Sequence, residues 1–236
     1  MDRAHPDVDP ARAHKAVKTL FGWLFLRRIS MPLSLRLART RVRPMQITMT
    51  GLACGLAGAG FLFAGSYGPA VAGAILVVVA KVLDAADGEV ARAKHLDSPL
   101  GYVVDGLSDR LRDTAVIAGA GLGVHRVEGV ALQWTLAAVS GYLFFFYVSG
   151  ASPSHWREIR TEDDLDDKHM FRVAPSLRLG AGDTLVVSLV VAALVDRLEW
   201  WIGLVALAAP VAIVLKVRRL LVRRPWERDA TSELHR

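Results

Sequence analysis

The sequence is short of cysteine and of acidic residues, and both shortages narrow the class of protein. Cys54 is the only cysteine among 236 residues, so neither an intrachain disulfide nor a cysteine-rich metal site is possible. Between Asp9 and Asp84 there is no Asp or Glu at all. No zinc knuckle, RNA-binding signature or helix-turn-helix pattern accompanies the net charge of +6, which disfavours a nucleic-acid-binding protein.

Long apolar runs take the place of the missing charges. The chain is 53% hydrophobic with a mean hydropathy of +0.33, and residues 45–80 hold almost no charge before Lys81. About 20 apolar residues are needed to cross a bilayer. The pattern predicts an all-α integral membrane protein with six transmembrane helices, at about 45–66, 69–93, 98–123, 129–150, 179–196 and 199–221. Ser98 is suited to cap the third span and Pro99 to be its first helical residue.

The N-terminal segment is basic and amphipathic. Residues 12–28 predict a helix lying in the membrane interface, although a soluble cap packed on the bundle fits the pattern equally well. We divide the chain into a cytoplasmic N-terminal segment (1–43), a six-helix transmembrane domain (44–222) and a basic tail (223–236).

Lys and Arg near the helix ends predict the orientation in the membrane. Residues 12–43 carry nine of them and the stretch 216–228 carries six, whereas the 66–68 connection has none. Both termini, the 93–98 turn and the 150–178 loop are therefore expected on the cytoplasmic side of the cell membrane.

Acidic residues return in a regular pattern at residues 84–109. Asp84 and Asp87 share one helical face, and Asp105 and Asp109 share a face of the next helix. The two pairs lie at similar distances on either side of the turn near Leu96, so at about 1.5 Å per residue they reach a similar depth. The four carboxylates are expected to converge in one pocket.

Convergent carboxylates inside a membrane need a counter-charge. All-oxygen ligands favour hard divalent cations such as Mg²⁺, Mn²⁺ or Ca²⁺. The alternative is a set of helix–helix ion pairs formed with Lys81, Arg92, Arg110 and Arg112. Small residues at 88 and 101 allow a ligand to approach the backbone, and Arg92 is placed to pair with a phosphate. Metal, phosphate and membrane together indicate phosphoryl-group transfer involving a lipid.

These residues form the pattern D84-x2-D87-G88-x2-A91-R92-x8-G101-x3-D105-x3-D109, which resembles the signature of the CDP-alcohol phosphotransferase (CDP-alcohol phosphatidyltransferase) family at all eight fixed positions. The resemblance implies transfer of a substituted phosphate from a CDP-linked donor to an alcohol, with release of CMP. It also implies a homodimer and no organic cofactor.

Site roles follow from the resemblance position by position. A two-metal centre of Mg²⁺ or Mn²⁺ would be held by Asp84, Asp87, Asp105 and Asp109, with Asp109 also acting as catalytic base. The CDP-binding residues would be Thr48, Asp84, Gly88, Ala91, Arg92 and Gly101. The family often has Asn after the proline of "PMQIT", where this chain has Met45, so the contact of that Asn is missing.

The stretch "RRISMPLSLRLART" (residues 27–40) and Glu89 after the motif glycine resemble sequences from the branch of the family that makes inositol-phosphate-linked products. Arg172 and Arg178 are candidates to bind the anionic acceptor, although ordinary positive-inside anchoring explains them equally well.

Three functions are compatible with the sequence. The first is transfer from CDP-diacylglycerol to a phosphorylated polyol such as inositol phosphate or glycerol phosphate, as a step of phospholipid biosynthesis. The second reverses the roles, with a CDP-linked small alcohol as donor and a diacylglycerol-type lipid as acceptor. The third is a divalent-cation transporter, for which the acids should lie at successive depths.

Overall fold

The computed structural model describes residues 27–150, 170–174 and 177–223. Within these ranges the chain forms seven helices and one two-stranded antiparallel sheet. The helices are α1 (Arg27–Ala38), α2 (Pro44–Phe63), α3 (Tyr67–Ala93), α4 (Pro99–Glu128), α5 (Leu132–Gly150), α6 (Ala181–Leu194) and α7 (Leu198–Arg223), and the strands are β1 (Met170–Ala174) and β2 (Leu177–Gly180).

Four of the described helices, α2, α3, α5 and α7, are long and apolar enough to cross a membrane. The predicted helical architecture with several apolar helices is therefore confirmed. Helix α6 has only 14 residues, and α4, with 30 residues, carries the charges of the acidic motif. The count of six spans remains a prediction, as do the three sequence segments and the sidedness of the termini.

Helix α4 begins and ends where its sequence dictates. The Ser98 hydroxyl accepts a hydrogen bond from the Gly101 amide at 3.0 Å, and Pro99 occupies the first turn, as predicted. The helix ends at Gly129, whose φ of 70° is the left-handed conformation that glycine adopts readily. It thus extends five residues beyond the predicted end of the third span.

The hydrophobic core lies in one half of the bundle. It gathers residues from the C-terminal parts of α2 and α4, the N-terminal part of α3, and helices α5, α6 and α7, with Trp201, Ile117 and Leu62 among its most buried side chains. The acidic motif lies outside this core, at the other ends of α3 and α4. Apolar packing therefore stabilises the bundle away from the charged residues.

Glycines bring α2 close to its neighbours. A Cβ atom on Gly58 would lie 2.9 Å from the Gly73 carbonyl oxygen of α3, and one on Gly73 would lie 2.7 Å from the Gly58 carbonyl. Gly119 and Gly123 of α4 are closer still, because a Cβ atom on either would overlap a backbone oxygen of α2. These two glycines thus serve helix packing inside the protomer. The homodimer remains a prediction.

Helix α1 was not predicted from the sequence. Ser30, Ser34 and Ala38 form its buried face, and the two serine hydroxyls donate to the Glu89 carboxylate of α3 at 3.0 and 2.6 Å. A stripe of small, mostly polar residues carries no hydrophobic periodicity, which is why pattern analysis missed this face. Residues 12–26 of the predicted interfacial helix lie outside the described residues.

The hairpin of β1 and β2 lies in the predicted 150–178 loop, except that Leu179 and Gly180 were predicted to begin the fifth span. Arg172 and Arg178 are opposite one another in its register, and β2 leads directly into α6. The fold is therefore helical with one short hairpin rather than all helix.

Candidate active site

Three of the four motif carboxylates meet in one cluster. Asp84 of α3 and Asp105 and Asp109 of α4 offer ligand oxygens that all lie within 4.8 Å of one another. Helical spacing explains the arrangement, because residues 105 and 109 are one turn apart on α4. The structure thus brings together residues from two helices, as the motif predicted.

Asp87 lies beside this cluster and is held by α2. Its Oδ2 accepts a hydrogen bond from the Thr48 hydroxyl at 2.5 Å, and the carboxylate is 5% exposed. Asp84 and Asp87 line the same cavity, together with Thr48, Ser108 and Arg112. Thr48 was predicted to approach the CDP. In the structure its hydroxyl contacts Asp87.

Two buried cations offset part of the negative charge. Lys81 Nζ lies 2.7 Å from Asp84 Oδ2. Arg112 lies 2.6 Å from Asp109 and 3.5 Å from Asp84. The sequence left helix–helix ion pairs as an alternative. Of these three contacts, Arg112–Asp84 joins two helices, whereas Lys81–Asp84 and Arg112–Asp109 each lie within one helix. They do not neutralise the site, because Arg112 also pairs with a further acid, Asp113, at 3.1 Å.

The other two arginines considered as ion-pair partners, Arg110 and Arg92, contact other groups. Arg110 donates to the Tyr142 hydroxyl at 2.9 Å and its guanidinium covers the ring of Phe146. Arg92 lies over Gly88, where a Cβ atom would be 3.2 Å from Nη1 of Arg92. Within the described residues, Nε of Arg92 is buried without a hydrogen-bond partner. A glycine with a partly unsatisfied guanidinium above it is suited to an anionic ligand.

The remaining predicted residues flank the cluster. Ala91 lies one turn beyond Gly88, and its carbonyl accepts a hydrogen bond from the Leu96 amide that closes the turn after α3. Gly101 lies in the capped first turn of α4. Lys94, at the end of α3, donates to the carbonyls of Thr40 and Val42, and partial burial lowers its pKa. These contacts set the entry to α2 and hence the place of Thr48.

The donor set fits a divalent cation. Three carboxylates converge, and in the described part of the chain Oδ1 of Asp105 is a buried oxygen with no hydrogen-bond partner. A buried acceptor without a donor is unfavourable unless a cation or water satisfies it. Oxygen-only ligands favour Mg²⁺ or Mn²⁺ over softer metals.

Sequence reasoning missed three contributors to the site. Ser108, Asp113 and Tyr142 are buried at or next to the cluster, and none belongs to the motif. Asp113 stands one helical turn after Asp109, a spacing that signals a shared face. Tyr142 of α5 had no local signal, because its contact with Asp113 joins residues 29 positions apart.

Fold and site together define a helical protein with several apolar helices and a carboxylate cluster between α3 and α4. A family model described as CDP-alcohol phosphatidyltransferase matches residues 41–161, which is just over half of the chain. The protein belongs to the CDP-alcohol phosphatidyltransferase family.

One curated relative is the bifunctional IPC transferase and DIPP synthase of Rubrobacter xylanophilus. It is 37% identical over 103 residues, which are 44% of this chain but only 21% of the relative. The match therefore covers about a fifth of that protein's length.

Solved structures of Mycobacterium tuberculosis phosphatidylinositol phosphate synthase share the fold. The form with CDP-DAG bound has a TM-score of 0.61 at 23% identity, covering 81% of this chain and 92% of that chain. The form with manganese and citrate has a TM-score of 0.61 at 21% identity, covering 80% of this chain and 87% of that one.

Proposed function

We propose that this protein transfers a substituted phosphate group from CDP-diacylglycerol to a phosphorylated polyol and releases CMP. The observation that carries the proposal is the convergence of Asp84, Asp105 and Asp109 beside the Gly88–Arg92 segment. Binding a diphosphate requires positive charge. A cation held by these ligands and an anion-binding arginine on adjacent turns could supply it. A location in the membrane, which the apolar helices support, would put this site within reach of a lipid donor.

The proposed reaction forms one bond to phosphorus and breaks another. The acceptor hydroxyl oxygen bonds to the phosphorus that carries the lipid, and the bond from that phosphorus to the CMP phosphate oxygen breaks. Asp109 accepts the hydroxyl proton. It is suited to this because Arg112 holds its carboxylate in place at 2.6 Å while its side chain keeps 19% exposure. A bound divalent cation would offset the charge of the diphosphate.

Each predicted ligand has a proposed role. Asp84, Asp105 and Asp109 hold Mg²⁺ or Mn²⁺, with Asp87 completing a two-metal site from the Thr48 side. Arg92 binds a diphosphate oxygen, and Gly88, Ala91 and Gly101 keep the backbone accessible to the CDP. Arg172 and Arg178, paired in the hairpin register, bind the phosphate of the acceptor.

The acceptor class has support from the comparisons. A structural neighbour is a phosphatidylinositol phosphate synthase, and the curated relative is also named a DIPP synthase. Inositol phosphate is therefore the first acceptor to test and glycerol phosphate the second. The transporter alternative is disfavoured because the three carboxylates converge at one place instead of following a path across the membrane.

A CMP-release assay tests the proposal. Purified protein is incubated with Mn²⁺ or Mg²⁺, CDP-diacylglycerol and, in turn, inositol phosphate, glycerol phosphate, serine or inositol. We expect CMP and a new phospholipid only with a phosphorylated polyol, and no CMP from the Asp109→Asn variant. Labelled lipid formed from a CDP-linked small alcohol and diacylglycerol would instead assign the reversed roles. Folded protein that releases no CMP in either arrangement would overturn the proposal.

A further inference from the structure

A chain of buried hydrogen bonds connects α5 with the carboxylate cluster. The Tyr142 hydroxyl donates to Asp113 Oδ2 at 2.6 Å, and Asp113 Oδ1 accepts from Nε of Arg112 at 3.1 Å. Arg112 in turn donates through Nη2 to Asp109 at 2.6 Å and contacts Asp84 through Nη1. Tyr142, Asp113 and Arg112 are 6%, 3% and 3% exposed. The chain therefore runs through the interior of the bundle.

Each polar side-chain atom of Asp113 and Arg112 has a partner in this chain of contacts. Both oxygens of Asp113 accept a hydrogen bond, and all three nitrogens of Arg112 contact a carboxylate. The Tyr142 hydroxyl also accepts from Nη1 of Arg110 at 2.9 Å. The Arg110 guanidinium lies 3.4 Å from the ring centroid of Phe146, which itself contacts the Tyr142 ring. The phenol is thus oriented by both its ring and its hydroxyl.

Helix α2 fixes the path of the Arg112 side chain. A Cβ atom on Gly55 would lie 2.6 Å from Cδ of Arg112, so the aliphatic stem of Arg112 passes directly over the glycine. Its guanidinium lies between Asp113 on one side and Asp84 and Asp109 on the other.

We propose that Tyr142 is a positioning residue of the active site. Through Asp113 it fixes the Arg112 guanidinium, and Arg112 holds the Asp84 and Asp109 carboxylates in the arrangement that receives the divalent cation. The inference rests on the proposed function only in using the same cation site. Hydrogen bonds to the partners of metal ligands orient those ligands and tune their affinity.

Removal of the Tyr142 hydroxyl has a defined consequence. Asp113 Oδ2 would remain buried without its donor, which is unfavourable for a carboxylate. Arg112 already donates to the other oxygen of Asp113, and we expect its guanidinium to turn toward both oxygens of Asp113 and away from Asp109. The two cation ligands would then lose the group that holds them in place.

Mn²⁺ binding to the full-length protein tests the inference directly. Free and bound Mn²⁺ are distinguished by electron paramagnetic resonance for wild-type protein and for Tyr142→Phe, Asp113→Asn and the double variant. Tyr142→Phe is expected to weaken Mn²⁺ binding about tenfold. The double variant should bind no more weakly than Asp113→Asn alone, because both substitutions break the same chain. Tyr147→Phe, on the same helix with a side chain 70% exposed, is the matched control and should bind Mn²⁺ like the wild type.

The outcomes separate this inference from the proposed function. Unchanged Mn²⁺ affinity in Tyr142→Phe would overturn the inference, even where wild-type protein releases CMP. A lower thermal unfolding temperature with unchanged Mn²⁺ affinity would also overturn it, because Tyr142 would then only join α4 to α5. Wild-type protein that binds Mn²⁺ but releases no CMP would overturn the proposed function and leave the Tyr142 inference standing on the affinity data.

Discussion

Among single side chains, the charge balance of the carboxylate cluster has the most direct consequences. Lys81 and Arg112 are the buried cations in contact with it in the described structure, and they face the four motif carboxylates and Asp113. An excess of negative charge therefore remains in a region of low dielectric, where like charges repel strongly. A bound divalent cation would relieve this repulsion, so we expect cation binding and stability to be coupled at this site.

Asp105 is the residue at which an effect on cation binding is easiest to separate from an effect on stability. Asp105→Asn removes one crowded charge, so the fold should be as stable as the wild type or slightly more stable without metal. Mn²⁺ affinity should fall by more than about tenfold, since loss of even an outer partner of a ligand has an effect of that size. Mn²⁺ titration and thermal unfolding measure the two effects.

The control for Asp105 is Asp97→Asn, which removes an exposed acid from the turn before α4. It should change neither Mn²⁺ affinity nor the unfolding temperature. An Asp105→Asn protein that fails to fold, or that binds Mn²⁺ normally, would contradict the assignment of this carboxylate as a ligand.

Thr48 donates a side-chain hydrogen bond to Asp87 in the described structure. Thr48→Val keeps the side-chain volume but removes this donor, leaving a carboxylate oxygen buried and unsatisfied. The expected loss is about 1–3 kcal/mol in the free energy of unfolding, measured by thermal or denaturant unfolding in detergent. Thr50→Val is the matched control on α2, because the Thr50 hydroxyl is exposed and bonds only to the Gln46 carbonyl of its own helix. Equal effects of the two substitutions would show that the Asp87 contact is unimportant.

At the scale of helices, α2 is the element that assembles the site. It packs extensively against both α3 and α4, whereas α3 and α4 contact each other at few positions. The carboxylates of α3 and α4 therefore meet across a gap that α2 closes with Thr48 and Gly51. The site belongs to three helices, although the acidic motif lies on two.

The close approach of α2 to α3 is expected to depend on Gly58. Gly58→Ala would place a methyl group 2.9 Å from a backbone oxygen of α3, which cannot move as a flexible side chain can. The two helices should separate and destabilise the protein by about 1–3 kcal/mol, the usual effect of overpacking, with weaker Mn²⁺ binding. Gly60 lies on the same helix, and in the described structure a Cβ atom there would contact nothing within 4 Å. Gly60→Ala should therefore be neutral or slightly stabilising. Similar unfolding temperatures for both variants would refute a packing role for Gly58.

At the scale of the whole molecule, the sidedness of the protein decides which solution reaches the site. The turn at 94–98 follows the Gly88–Arg92 segment of α3, and the α4–α5 connection lies at the opposite end of the 30-residue α4. The distribution of Lys and Arg predicts that the 94–98 turn lies on the cytoplasmic side. The water-soluble acceptor would then enter from the cytoplasm.

Cysteine labelling tests this orientation, because Cys54 is the only cysteine to remove. In a Cys54→Ala background, Asp97→Cys should react with a membrane-impermeant maleimide only in inside-out vesicles. Ala131→Cys, in the exposed connection between α4 and α5, should react only in intact cells. The reverse pattern would place the active site on the outer face.

The sequence by itself determined the membrane class, the helical fold and the acidic motif. It did so because apolar length, caps and the 3.6-residue repeat act within a single helix, where spacing along the chain sets position in space. Asp105 and Asp109 share a face for this reason, and so do Asp84 and Asp87.

Only the tertiary structure decided which faces meet. It showed that α2 contributes Thr48, that Lys81 and Arg112 pair with the acids while Arg110 donates to Tyr142, and that α1 is anchored to Glu89. It also joined Tyr142 to Asp113. These contacts depend on how closely helices distant in sequence approach one another, which the glycines of α2, α3 and α4 permit through packing that no local repeat encodes.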